Sequence, residues 1–345
     1  MKKHTHLYGA FALLVSSTII SVPAALSVED SWNEAEVKSE YVRPDEVPTP
    51  EDNLYTKMKD SLGKKLFFDP RLSGSNFISC ATCHNPALGW EDGMAKGTGD
   101  GMKKLDRHTP TVLNTAYGDI FMWDGREETL ESQALGPIGS TGEMNQPIEA
   151  LLEELRAIDG YQVLFKMAFP EEDAPVINKD TLGKAIATYE RTIISGEAPF
   201  DRWIAGDEKA ISKEAKLGFK VFNTKAKCNA CHSGWNFSDD SFHDIGLKSE
   251  DPGRGKITGL DNLQNAFKTP GLRDIVQRAP YMHDGSLSTL REVVEHYNSG
   301  AVDRKTVSAD VNNLGLTEKE VTAVVAFLET LTGKNEPVII PVLPQ

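Results

Sequence analysis

Cysteine is scarce in this chain, four in 345 residues, which is too few for a disulfide-stapled scaffold. Positive charge is short as well: 37 Lys and Arg against 51 Asp and Glu leave a net charge of −14. That balance excludes nucleic acid and anionic membranes as electrostatic partners, and either favours a docking partner with a basic face or simply keeps the protein soluble. Long apolar runs are missing beyond the first residues, so no later segment reads as a membrane span. A hydrophobic content of 39 % without a low-complexity tract is that of an ordinary globular chain, and the length suits two domains.

All four cysteines fall in two copies of Cys-x-x-Cys-His, Cys80-Ala-Thr-Cys83-His84 and Cys228-Asn-Ala-Cys231-His232. Each pair can form thioethers to the vinyl groups of a haem, with the adjacent histidine as proximal iron ligand. Zinc sites and redox dithiols are the alternatives. Zinc-binding pairs usually lie much closer together in sequence, and neither alternative explains a histidine directly after both pairs. Two covalently bound haem c groups are therefore expected, and they leave no cysteine for a disulfide. Residues 1–27 agree with this. Lys2 and Lys3 precede an apolar run from Leu7 to Val22 and small residues ending Ala25-Leu26-Ser27, the pattern of a cleaved signal peptide. Haem is attached to such motifs outside the bacterial cytoplasm, so a soluble periplasmic protein is expected.

The chain repeats itself weakly. Leu62-Gly-Lys-Lys-Leu-Phe67 precedes the first haem motif and Leu217-Gly-Phe-Lys-Val-Phe222 the second. Leu182, Ala185, Ile186, Tyr189 and Ile193 share one helical face and close the first copy. In the second copy Thr317 and Glu320 form a capping box ahead of Val321, Val324, Val325, Leu328 and Leu331, and Gly333 is the stop signal. The expected fold is mostly α, two cytochrome c-type domains each carrying one covalent c-type haem. Residues 57–200 form the first domain and 201–333 the second. They are flanked by an acidic extension, 28–56, and a Pro-rich tail, 334–345, both expected to run over the surface.

Around the two haem motifs occur, in order, Phe67-Phe-Asp-Pro-Arg71, Thr109-Pro-Thr, Trp123-Asp-Gly-Arg126, Gly136-Pro137, Glu143-Met144 and Ala279-Pro-Tyr-Met-His-Asp-Gly285. In this set the chain resembles the bacterial di-haem cytochrome c peroxidase and MauG superfamily over roughly residues 55–340. The resemblance implies that peroxide reacts at the first haem, with His84 proximal and the opposite face open. It implies that Glu143 moves a proton between the peroxide oxygens, that Gln133 and Pro137 line the same pocket, and that Trp123 relays electrons between the haems. Trp90, Trp203 and Trp235 lack such context and are read as packing residues.

The second haem takes His232 and, by register in the family, a methionine at the position that is Tyr297 here. Tyr297 matches the MauG-like branch, in which a phenolate stabilises oxidised iron and lowers the potential. His296 and Met282 are the alternative ligands. The loop from Gly89 to Arg107 also lacks the histidine that blocks the first iron in ordinary members of the family. His108 stands where many members place a calcium-binding asparagine, which leaves the backbone carbonyls of Arg278 and Pro280 as possible calcium ligands. His243 and His283 are read as contacts to haem propionates or as core groups.

The leading functional reading is a peroxidase that reduces hydrogen peroxide with electrons from a small periplasmic cytochrome c or cupredoxin. The alternatives are a MauG-like enzyme that oxidises tryptophan or another residue on a partner protein, and a non-catalytic dihaem electron-transfer cytochrome. A homodimer is possible, as in many family members.

Overall fold

Gly63 and Gly218 mark the two points about which the architecture is built. In the computed structural model, which describes residues 32–299 and 301–345, the helix Lys57–Phe67 crosses the helix Lys179–Glu190 so closely that a Cβ on Gly63 would strike the carbonyl oxygen of Ala185. The helix Lys213–Asn223 crosses Glu318–Glu329 in the same way, with Gly218 against the carbonyl of Ala323. Only a residue without a side chain allows that approach. This is the physical content of the repeated Leu-Gly-x-x-x-Phe pattern. The signal-peptide reading of residues 1–27 falls outside the described residues.

The four helices start where their caps dictate. Thr56, Asn178, Ser212 and Thr317 each accept a backbone N–H from the first turn, satisfying donors the helix cannot. The expected capping box of Thr317 and Glu320 is present in full. The first closing helix ends at Glu190, so Ile193 lies beyond it rather than on its last turn.

Asn33–Gln345 pack as one unit, mostly helical, with twelve α-helices among the described residues and a single antiparallel pair of two-residue strands, Phe242–His243 and Phe267–Lys268. Within it the cytochrome c-type plan occurs twice: an opening helix, a haem loop, a distal helix and a closing helix. The distal helices are Leu130–Gly139 and Leu290–Ser299. Each follows a turn of one design, closed by the bridge Phe121–Glu127 in the first copy and Tyr281–Leu287 in the second. Met122 and Met282 have φ of 71° and 75°, and Gly125 and Gly285 have 63° and 64°. Counting from these turns puts Trp123 and His283 in one register, and Pro137 and Tyr297 in another.

The two tails cross over between the copies. Tyr41 of the N-terminal extension is fully buried, set among Phe200, Phe219 and Phe237 at centroid distances of 6.0, 5.5 and 4.9 Å, with its hydroxyl donating to Asn223 Oδ1 at 2.8 Å. Burying one such aromatic ring contributes about 1.5–3 kcal/mol, so this part of the extension belongs to the second domain's core, not to the surface. The C-terminal tail runs back over the first domain, where Lys65 and Arg71 donate to the carbonyls of Val342 and Pro344 at 2.7 and 3.0 Å.

Candidate functional site

Each Cys-x-x-Cys-His motif opens onto its own cavity. Cys80, Cys83 and His84 border the first together with Gln133, Pro137 and Glu143. Cys228, Cys231 and His232 border the second together with Tyr297 and Met282, among apolar walls such as Leu272, Val294 and Leu328. His84 Nδ1 lies 3.2 Å from the carbonyl of Trp90, and His232 Nδ1 lies 2.9 Å from that of Phe237. Burial lowers the pKa of both rings. A neutral imidazole that donates from Nδ1 keeps Nε2 free for a metal, which is the tautomer an iron ligand needs. Trp90 is thus more than packing: at φ 64° its backbone turns a carbonyl onto His84.

Burial raises all four thiols, to about 11 at Cys83 and Cys231, which argues against an activated redox dithiol. A side chain converted to a thioether needs no thiolate, so burial is compatible with haem attachment. A neutral histidine and an attachment pair at each cavity, with mostly apolar walls in the second, fit a covalent haem c.

The distal side of the first cavity is held from two directions. The turn after the distal helix is fixed by the Glu143 N–H on the Ser140 carbonyl at 3.1 Å and the Met144 N–H on that of Pro137 at 3.0 Å. The Gly-rich loop then closes against it. A Cβ at Gly99 would strike the Gly142 carbonyl, and the Asp100 N–H donates to the Glu143 carbonyl at 2.6 Å. Gly99 of that loop brings backbone against backbone behind Glu143, a role the missing histidine did not reveal. Gln133 donates from Nε2 to the sulfur of Met122 at 3.5 Å.

Trp123 borders both cavities, as does His283. The Trp123 indole N–H donates to the His108 carbonyl at 2.8 Å, and the His108 N–H donates to the His283 carbonyl at 2.8 Å. His283 stacks on Phe267 at 3.6 Å, and burial pushes its pKa down to about 4. His243 pairs with Asp239 at 2.8 Å. His296 is engaged with the Ile245 carbonyl at 3.0 Å, while Tyr297 and Met282 face the second cavity.

Beside Trp123 lies a buried charge cluster. His108 is 3 % exposed, with Nε2 at 2.9 Å from Glu91 Oε2 and Nδ1 at 2.6 Å from the Met94 carbonyl. Arg278 approaches the same carboxylate at 3.9 Å. Burial opposes protonation of His108, but the hydrogen bond and charge of Glu91 outweigh it and raise the pKa. Arg107 ties Asp124 of the first copy to Asp251 of the second at 2.6 and 2.7 Å.

Two adjoining cavities, each with a Cys-x-x-Cys-His motif, Trp123 at the wall of both and a carboxylate at the rim of the first fit a two-haem c-type oxidoreductase. The family profile "Di-haem cytochrome c peroxidase" matches residues 57–209 and the profile "Cytochrome c" matches residues 215–332. The chain is 48 % identical to the Methylamine utilization protein MauG of Methylorubrum extorquens, over 97 % of this chain and 95 % of that one. It is 33 % identical to the Cytochrome c551 peroxidase of Pseudomonas aeruginosa, over 96 % and 95 %. A solved structure of a MauG-like protein associated with microbial copper homeostasis superposes with a TM-score of 0.78 at 29 % identity, covering 86 % of this chain and 94 % of that one. The chain belongs to the di-haem cytochrome c peroxidase and MauG family, and it is an oxidoreductase of the cytochrome c peroxidase type.

Proposed function

We propose that this protein uses hydrogen peroxide to oxidise a residue on a partner protein, the second of the readings the sequence leaves open. The observation that carries it is the one register shared by Pro137 and Tyr297. In the first cavity that register presents a side chain with no donor atom. In the second it presents a phenol, which burial keeps protonated unless a cation takes the proton's place. A haem in the first cavity would meet no ligand from that position, whereas Tyr297 would be placed to hold the iron of a haem in the second. The relative with 48 % identity is a methylamine utilization protein, and we extend that setting to this chain.

The overall balance is one peroxide, two protons and two electrons giving two waters, with both electrons drawn from the partner's side chain. Haem iron, when bound, supplies the open coordination position and the redox steps. Glu143 accepts a proton from one peroxide oxygen and returns it to the other. Gln133 orients the peroxide by hydrogen bonding, His84 and His232 hold the irons, and Trp123 carries electrons between the cavities, its indole fixed by His108. Haem is attached to such motifs outside the bacterial cytoplasm, so the periplasm is the proposed compartment; no described helix is long and apolar enough to cross a membrane. Reduction of peroxide by a small cytochrome c or cupredoxin is the second reading, favoured by the match to a cytochrome c551 peroxidase over 96 % of the chain.

The test mixes the fully ferric protein with one equivalent of peroxide, without prior reduction, and follows the absorbance into the near infrared. An immediate and persistent two-electron oxidation is expected, discharged by a protein substrate faster than by a reduced small redox protein. No reaction until one electron is added would mean a blocked first iron and an ordinary, reductively activated peroxidase.

We further propose that the cluster beside Trp123 works without calcium. It offers a divalent cation the carboxylate of Glu91, which His108 and Arg278 already engage, a poor donor set for a hard ion that prefers oxygen. Excess chelator should leave the melting temperature and both haem spectra unchanged. A fall in either would show that the carbonyls of Arg278 and Pro280 hold an ion after all.

A further inference from the structure

Glu190 is the last residue of the closing helix Lys179–Glu190. It is 3 % exposed, borders the first cavity, and has no hydrogen-bond partner for Oε2. A carboxyl buried in this way normally binds something or gives up its charge. The neighbouring cation does not neutralise it, since Arg191 spends both of its terminal nitrogens on Glu131, at 2.6 and 3.0 Å.

The internal repeat shows that the helix does not need this carboxyl. Counting from the two glycine crossings, Ala185 corresponds to Ala323, Tyr189 to Phe327, and Glu190 to Leu328. Leu328 is 6 % exposed and borders the second cavity. One position of one plan therefore faces the second haem site with an apolar side chain and the first with a titratable one.

The charged and titratable groups around Glu190 are Arg191 and Tyr189 on its own helix and Glu131 on the distal helix. Cys80 stands in the haem loop, and Asp60 acts on the same Tyr189 from the opening helix. Burial pushes Glu190 up to about 8, with Glu131 adding to the rise and Arg191 opposing it. Cys80, as a thioether, drops out of the titration.

We propose that Glu190 is a redox-linked proton site of the first haem. Its carboxylate takes one proton from water as the iron takes one electron from a reductant, and releases it to water when that electron leaves. Each transfer then leaves the net charge of the buried site unchanged, which the low dielectric there favours. Peroxide reduction consumes one proton per electron; below about pH 8 Glu190 stays protonated in both redox states and keeps one proton beside the site, and the exchange with water operates above that pH. This rests on the reading that Cys80 and Cys83 carry a haem, which a haem count of two per chain checks beforehand.

The experiment is a potentiometric titration of the holoprotein at a series of pH values, with the two haems followed separately by their ferric EPR signals. Oxidised protein holds the proton below the Glu190 pKa, so the potential of the first haem stays flat there. It should fall, by up to one proton per electron, as pH rises above about 8, because only the reduced form then still binds the proton. Glu190→Gln should abolish that fall, together with the protonated-carboxyl band of the redox infrared difference spectrum, and leave the second haem unchanged. Glu190→Leu, which copies Leu328, should do the same. A fall that survives both substitutions, or is lost equally at both haems, overturns the assignment. So does failure of both variants to fold with haem, since Glu190 would then be a structural group.

Discussion

Glu143→Gln should retain both haems and lower the rate of peroxide consumption by about a hundredfold to ten-thousandfold, the usual contribution of a positioned acid-base group. Cleaving the oxygen–oxygen bond heterolytically requires a proton to pass from one peroxide oxygen to the other, which leaves as water. The amide has the size and shape of the acid but no proton to pass. The loop should survive the change, because what holds it is backbone: the Glu143 N–H on Ser140, the Asp100 N–H on the Glu143 carbonyl, and the close approach of Gly99. An unaltered ferric spectrum and haem content would show that the pocket is intact, and rapid mixing with peroxide then measures chemistry alone. Undiminished turnover would make Glu143 a solvated rim carboxylate and move the proton transfer to another group.

How far this site could be read in advance depends on the range of the interactions that build it. The two Cys-x-x-Cys-His motifs, each at its own cavity, were legible because a haem loop is local: five consecutive positions would carry the chemistry. The opening and closing helices were legible because the crossing glycines and apolar faces repeat with helical period. Tyr41 was not, since a single aromatic in a short extension has no periodicity to announce that it fills another domain's core. The bridge from Arg107 to Asp251 was hidden for a similar reason, as charge pairs remote in sequence leave no pattern. Glu190 lay closer to view. It stands four residues after Ile186, on the apolar face of a helix whose core positions up to Tyr189 were read from the sequence, and an acid at a core position is the kind of local conflict that often marks a functional site. The turn at Phe121 and its copy at Tyr281 were each noticed as motifs, but only their common backbone geometry puts Pro137 and Tyr297 in one register.

That register leads to the second large effect. Tyr297→Met should raise the reduction potential of the second haem by more than ~0.1 V, within the ~0.8 V that axial ligands span, and convert its spectrum to that of a His/Met cytochrome. A phenolate carries negative charge to the metal and favours the ferric state, whereas a thioether is neutral and favours the ferrous one. The cavity accepts either side chain, since its walls are apolar and Met282 already borders it. The first haem should keep its potential, because the side chains at its distal face belong to the other copy of the plan. The functional consequence follows from the potential: a second haem that is harder to oxidise no longer shares the oxidising equivalents of peroxide, so the persistent oxidised state is lost and the protein should behave as a peroxidase that needs one electron before it reacts. If the potential and the spectrum of the second haem are instead the same with methionine at 297, Met282 is the ligand. Tyr297 is then only a wall of the cavity, and oxidation of a partner protein loses its main support.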